Sequence, residues 1–106
     1  GLDRRLLSRL RRGDFALQGH VDLHGLTREE AHIRVELFLH ESRTNDRRCV
    51  LIIHGRGLNS KDQIPVLKDA VRGWLQRGRI AKSVLAFATA RPTDGGAGAV
   101  YVLLRR

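Results

Sequence analysis

A single cysteine, Cys49, stands in the 106 residues, so the chain forms no internal disulfide. The zinc sites that group several Cys and His at short spacing have no basis in it either. Aromatic residues make up 5% of the chain, which argues against a platform that stacks successive bases and for recognition through backbone and shape. No stretch approaches the roughly 18 uninterrupted apolar residues of a membrane helix, and the first residues lack the apolar core of a secretory signal. A soluble, cytoplasmic chain without a membrane partner is expected. Acidic residues are the scarcer charge: 11 Asp and Glu against 20 Lys and Arg leave a formal net charge of +9. Polyanions are then the natural partners, and the predominance of arginine suits bidentate contacts to phosphate. The competing reading of the charge is a solvated surface or an acidic protein partner. The length, with 42% hydrophobic residues, suits one core and one domain, expected to be a monomer.

Apolar spacing sets the organisation. Residues 2–12, LDRRLLSRLRR, place Leu2, Leu6, Leu7 and Leu10 at helical intervals among Arg4, Arg5, Arg9, Arg11 and Arg12, which predicts a short basic helix stopped at Gly13. Such a helix is marginal alone, so it docks on the domain, lies on a phosphate backbone or is the remnant of a longer arm. Its arginines are candidate nucleic-acid contacts. Val21 and Leu23 alternate with His20, Asp22 and His24 as in a half-buried strand that Gly25 stops. Thr27 and Glu30 have the spacing of a capping box, opening a helix with Ala31, Val35, Leu37, Phe38 and Leu39 on its apolar face, through about Glu41. RTNDRR turns the chain. Cys49 to Ile53 is apolar on both faces, which predicts a central buried strand and a core thiol. Pro65 with Ile64, Leu67, Val71, Trp74 and Leu75 predicts a second helix, Trp74 in the core, ended at Gly78. IAKSVLAFATA reads as a third strand, RPTDGGAG as a flexible connection and AVYVLL as a fourth strand. His32 and His40 read as solvated helix positions. The order is β-α-β-α-β-β behind a basic helix, an α/β pattern.

Strands joined through a helix run parallel with a right-handed crossover, so the first two strands end at one edge. That edge receives Asp22, His24 and Gly25 from the first strand and His54, Gly55, Arg56 and Gly57 from the second. A parallel third strand with a hairpin return would bring Gly95 and Gly96 there too. Open α/β sheets form their sites at such edges. Imidazole exchanges protons near neutral pH, which makes His24 and His54 candidate acid–base groups, with Asp22 orienting His24 or holding a metal. Gly55 and Gly57 would let backbone amides approach a phosphate that Arg56 clamps. In the plainer reading Asp22 and His24 are turn and capping residues. H-G-x-G lacks the Lys-Ser/Thr ending of a Walker loop and the third glycine of a dinucleotide fingerprint. Three scattered groups leave the metal unknown.

Together VDLHGLTREEA, VLIIHGRG and GGAGAVYVLL resemble the Smr domain, the small MutS-related family, over residues 20–104 and in the family's order. The hallmarks L-D-L-H-G and H-G-x-G both occur, the first with Val21 in place of leucine. LDRRLLSRLRRGDF resembles the basic lead-in of stand-alone bacterial members, dividing the chain into a helix and linker at 1–19 and an Smr domain at 20–106. The resemblance implies a two-layer α/β sandwich with a four-stranded mixed sheet. It also implies an endonuclease that nicks DNA or cuts RNA, in some members messenger RNA at stalled ribosomes. It makes Asp22 and His24 the catalytic pair, with His54, Gly55, Arg56 and Gly57 binding phosphate or assisting; Gly25, Gly95 and Gly96 flank them. LNSKDQIPVLK departs from the family pattern by lacking the glycine often found before the second helix. On this reading His24 is base or acid, His54 protonates the leaving oxygen, and Arg56 and nearby amides take up phosphate charge. RNA supplies its own 2′-hydroxyl nucleophile and needs no metal. DNA needs an activated water, for which a divalent cation such as Mg2+, held partly by Asp22, is the expected cofactor. The alternative is a noncatalytic module that docks on DNA, RNA or the ribosome through the same face.

Overall fold

The computed structural model describes residues 4–56 and 66–106; the expectations for Leu2, Gly57, Ile64 and Pro65 lie outside the described residues. Along the chain run α1 (Arg4–Arg11), β1 (His20–Asp22), α2 (Arg28–Thr44), β2 (Cys49–Ile53), α3 (Val66–Gln76), β3 (Val84–Thr89) and β4 (Ala99–Leu104). The strands form one four-stranded sheet in the order β1-β2-β4-β3. β1 is parallel to β2, with Asp22 opposite Ile53, and β4 is antiparallel to both β2 and β3. β1, β2 and β3 therefore end at one edge, where β4 begins. The two inner strands are the most completely buried, since both of their faces and both of their edges meet protein.

Alternation along the strands divides the core into two layers. Val21, Val50, Ile52, Val100, Val102 and Leu104 pack with residues of α2 and α3. Cys49, Leu51, Tyr101 and Leu103 face the other way, toward Leu10 of α1. An irregularity between Val84 and Ala86 shifts the register of β3, placing Val84 in the first layer and Ala86 and Ala88 in the second. These small side chains let α1 lie close to the sheet, and Leu10 is left 1% exposed. The basic helix docks on the domain.

α2 starts at the expected capping box: Thr27 Oγ1 accepts from the Glu30 N–H, and the Glu30 carboxylate accepts from the Thr27 N–H. Those bonds hold the Glu30 carboxyl below the usual range. The helix runs past Glu41 to Thr44, where Asn45 caps it by donating to the Glu41 and Arg43 carbonyls. Leu37 is 61% exposed and is not part of the core stripe, because at about 100° per residue it rotates away from Val35, Phe38 and Leu39. Trp74 is partly buried at the margin of the core, edge-on to His32 with ring centroids 4.8 Å apart, so His32 packs rather than only being solvated.

Two connections differ from expectation. Ile80–Ser83 is a 3-10 turn and the third strand starts only at Val84, since β4 offers Leu104 as its last partner. RPTDGGAG is a built turn with 3-10 segments at Pro92–Asp94 and Gly96–Gly98. The buried Tyr101 hydroxyl needs partners, and it finds them by donating to Asp94 Oδ2 and accepting from the Arg91 N–H.

Candidate active site

After Asp22 the pairing of β1 continues one step, Leu23 N–H donating to Ile53 O at 2.8 Å, and then the chain turns. Asp22 makes the turn: its carboxylate accepts from the backbone N–H of His24 at 2.9 Å. Gly25 follows in the left-handed region at φ +80°. Asp22 and His24 are exposed and Val21 and Leu23 buried, so the two polar side chains share the open side as their alternation suggests. Asp22 acts on the main chain of His24, fixing the turn from which the imidazole projects.

β2 delivers His54 and Gly55, whose N–H groups both donate to the Gly98 carbonyl at 2.9 Å. This bond pair locks the second loop to the glycine turn. Arg56 then lies across that turn: a Cβ on Gly96 would come within 3.1 Å of its guanidinium, and one on Gly98 within 3.3 Å of its Cγ. Of the candidate phosphate-binding glycines, the N–H groups of Gly55, Gly95 and Gly96 donate to the Gly98, Pro92 and Arg91 carbonyls respectively. These glycines serve left-handed turn geometry, at φ +84°, +114° and +55°. Gly25 is different: its N–H has no acceptor among the described residues, and the space above it is open. Gly57 lies outside the described residues.

His54 is 7% exposed. Its Nδ1 lies 2.7 Å from Gly55 O; a carbonyl only accepts, so Nδ1 carries the proton and the neutral ring has its lone pair on Nε2. Burial holds its pKa below the ordinary 6.5, opposed by the bond to Gly55 and reinforced by the charges of Lys68 and Arg72. A group held neutral is suited to accept a proton.

Lys68 and Arg72 add positive charge to the field at His54, and sequence reasoning did not single them out. Their i, i+4 spacing on one face of the second helix was the available signal. Gly98 was missed as well. Arg72 Nη2 donates to Thr89 Oγ1 at 2.8 Å, fastening α3 to the end of β3. Among the described residues Arg56, Lys68 and Arg72 have no carboxylate partner. The arginines of α1 and Arg12 after it are exposed, but Arg12 is engaged by Asp14 at 3.0 Å and Arg9 lies over the Phe15 ring at 4.8 Å. Arg11 lines, with Leu7 and Arg72, a groove along β3 that reaches Thr89. Among the described residues no three His, Cys, Asp or Glu side chains are grouped to hold a metal ion. No helix among them is long and apolar enough to cross a membrane.

Fold and site define an α/β domain with a four-stranded mixed sheet, whose basic edge carries an Asp-Leu-His-Gly turn beside a His-Gly loop. Residues 21–105 match the model of the Smr domain, and the chain belongs to that family. It is 35% identical over 100% of its length to the probable DNA endonuclease SmrA of Escherichia coli strain K12, spanning 55% of that protein. It is 32% identical over 94% of its length to the ribosome rescue factor SmrB of Tolumonas auensis, spanning 52% of it. The chain thus covers about half the length of the curated relatives it matches. Among solved structures it is similar to YdaL, a stand-alone small MutS-related protein from Escherichia coli, with a TM-score of 0.81 and 35% identity, covering 100% of this chain and 79% of that one.

Proposed function

We propose that the chain is a nucleic-acid endonuclease whose site comprises Asp22, His24, Gly25, His54 and Arg56, with Lys68 and Arg72 adding positive charge to its field. The observation that carries this reading is the pair of bonds from His54 and Gly55 to Gly98, which gathers a neutral imidazole and Arg56 at the sheet edge where the Asp22 turn also ends. The formal charge of +9 supports a polyanionic substrate. The names of the relatives, a probable DNA endonuclease and a ribosome rescue factor, point the same way.

RNA is the substrate that two histidines suit. His54 Nε2 takes the proton of the 2′-hydroxyl, the 2′-oxygen attacks phosphorus, and the bond to the 5′-oxygen breaks. His24, exposed to the solvent that restores its proton, donates to that leaving oxygen. The ends left are a 2′,3′-cyclic phosphate and a 5′-hydroxyl. The Gly25 N–H and the Arg56 guanidinium face charge developing on the nonbridging oxygens, and Lys68 and Arg72 hold flanking phosphates. DNA lacks the internal nucleophile and calls for an activated water, for which Asp22 together with a substrate phosphate would hold a divalent cation.

The test pairs end-labelled single-stranded RNA with supercoiled plasmid, each in magnesium or EDTA, beside His24→Ala. RNA cleavage in EDTA with cyclic phosphate ends is expected, reduced about 10²–10⁴-fold in the variant. Nicking of plasmid alone, in magnesium alone, would transfer the activity to DNA. Binding of both with cleavage of neither would make the chain a docking module for nucleic acid or the ribosome.

A further inference from the structure

The opposite end of the sheet carries a second surface that cleavage does not use. Where β2 and β3 begin and β4 ends, a cavity of about 870 Å³ opens between the later turns of α2 and the Ile80–Ser83 turn. Arg43 is its anchored cation: Nε donates to Arg105 O at 3.1 Å and Nη1 to Ser83 Oγ at 3.2 Å. Arg47, Arg48, Arg79, Arg105 and Arg106 line the same cavity, against the carboxylates of Glu36 and Asp46. None of these arginines has a carboxylate partner among the described residues. The carbonyls at the end of α2 would repel an anion, but those of Glu41, Ser42 and Arg43 already accept from the N–H groups of Asn45, Arg47 and Asp46. On one rim Ile33 and Leu37, one helical turn apart, are 60% and 61% exposed, more than any other large apolar side chain described.

We infer that this groove docks an acidic amphipathic segment of a partner protein, apolar side chains on Ile33 and Leu37 and carboxylates on the arginines. A phosphate backbone would satisfy the arginines and leave both aliphatic side chains in water. A second copy of this chain brings a net +9 of the same sign. A peptide with carboxylates on one side and aliphatics on the other meets both demands. Strands of this length put about 15–20 Å between the groove and the catalytic edge, so docking and cleavage are separable.

The probe is a fluorescein-labelled amphipathic peptide with leucines on one helical face and glutamates on the other, titrated with the full chain and read by anisotropy. The same peptide with serines for the leucines and a single-stranded oligonucleotide are run beside it. Saturable binding of the leucine peptide is expected, weakened at least about tenfold by Ile33→Ser/Leu37→Ser, by Arg79→Glu/Arg106→Glu and by the serine replacement. Oligonucleotide affinity should change less than about twofold in Ile33→Ser/Leu37→Ser. All four side chains are exposed, so melting temperatures should stay near that of the unmutated chain. Absence of binding up to about 100 μM, or binding indifferent to the aliphatic variant or to the serine replacement, overturns the proposal. So does an oligonucleotide that loses as much affinity as the peptide in Arg79→Glu/Arg106→Glu, which would assign the groove to nucleic acid.

Discussion

His54 is buried, bonded through Nδ1 to Gly55 and flanked by the charges of Lys68 and Arg72, so folding disfavours its protonated form. Above the unfolded value of 6.5 the ring is neutral in both states and contributes nothing to pH dependence. As pH falls through 6.5 the unfolded chain takes up the proton first, binds more protons than the folded chain, and stability drops. Thermal melts followed by circular dichroism should therefore show a midpoint that declines on acidification from that point, with a weaker decline in His54→Gln. A midpoint that rises over the same range would contradict the burial of a neutral ring. Cys49 offers a second reading of the interior: it is 1% exposed, and burial pushes its thiol up to about 11. A disulfide reagent at pH 8 should leave the native chain unmodified and titrate one thiol after denaturation. Both residues stood out in the sequence, His54 as the end of an apolar run and Cys49 as its start. The tautomer and depressed basicity of His54 did not, because they depend on Gly55 geometry and on cations carried by another helix.

Among the elements, α1 shows how a marginal helix becomes part of a domain. Its leucines meet a patch of β3 made of Ala86 and Ala88, whose small side chains admit a helix at close range. Leu10→Ala should lower stability by about 2–5 kcal/mol in urea unfolding, the cost of emptying a buried leucine site. A change under about 0.5 kcal/mol, typical of surface positions, would mean that the helix does not dock. The capping box at Thr27 and Glu30 and the doubly apolar strands β2 and β4 were legible, since each is written in neighbouring residues. The beginning of β3 was not: Ile80 to Ser83 are apolar enough for a strand, but β4 has no residues opposite them. The exposure of Leu37 was missed for a related reason, since its neighbours along α2 already fill the space over the sheet.

At the scale of the molecule, basic side chains occupy both ends of the sheet, and their surroundings differ. At the edge that carries the candidate site Arg56 lies by the glycine turn, and Lys68 and Arg72 add positive charge to the field at His54. At the other end arginines surround exposed aliphatics. Oligonucleotide binding should weaken steeply with salt, and Arg56→Ala, Lys68→Ala and Arg72→Ala should each reduce the log–log slope by about 1. Salt titrations by fluorescence anisotropy check this. Slopes unchanged in all three variants would place the phosphates elsewhere.

What the sequence determined by itself is local or periodic: strand and helix order, the turn at Asp22 to Gly25, the capping of α2, and the arrival of Asp22, His24, His54 and Arg56 at one edge. Those features rest on residues within a few positions of one another and on the handedness of parallel connections. Only the tertiary structure decided that β4 lies between β2 and β3, bringing Gly98 to the amides of His54 and Gly55. It also decided that the amides of Gly55, Gly95 and Gly96 are used inside the fold, that the charges of α3 act on His54, and that α1 closes the second layer. Each of these joins segments far apart in the chain. Such pairings are selected by the burial and hydrogen-bond satisfaction of the whole fold, which no single stretch of residues specifies.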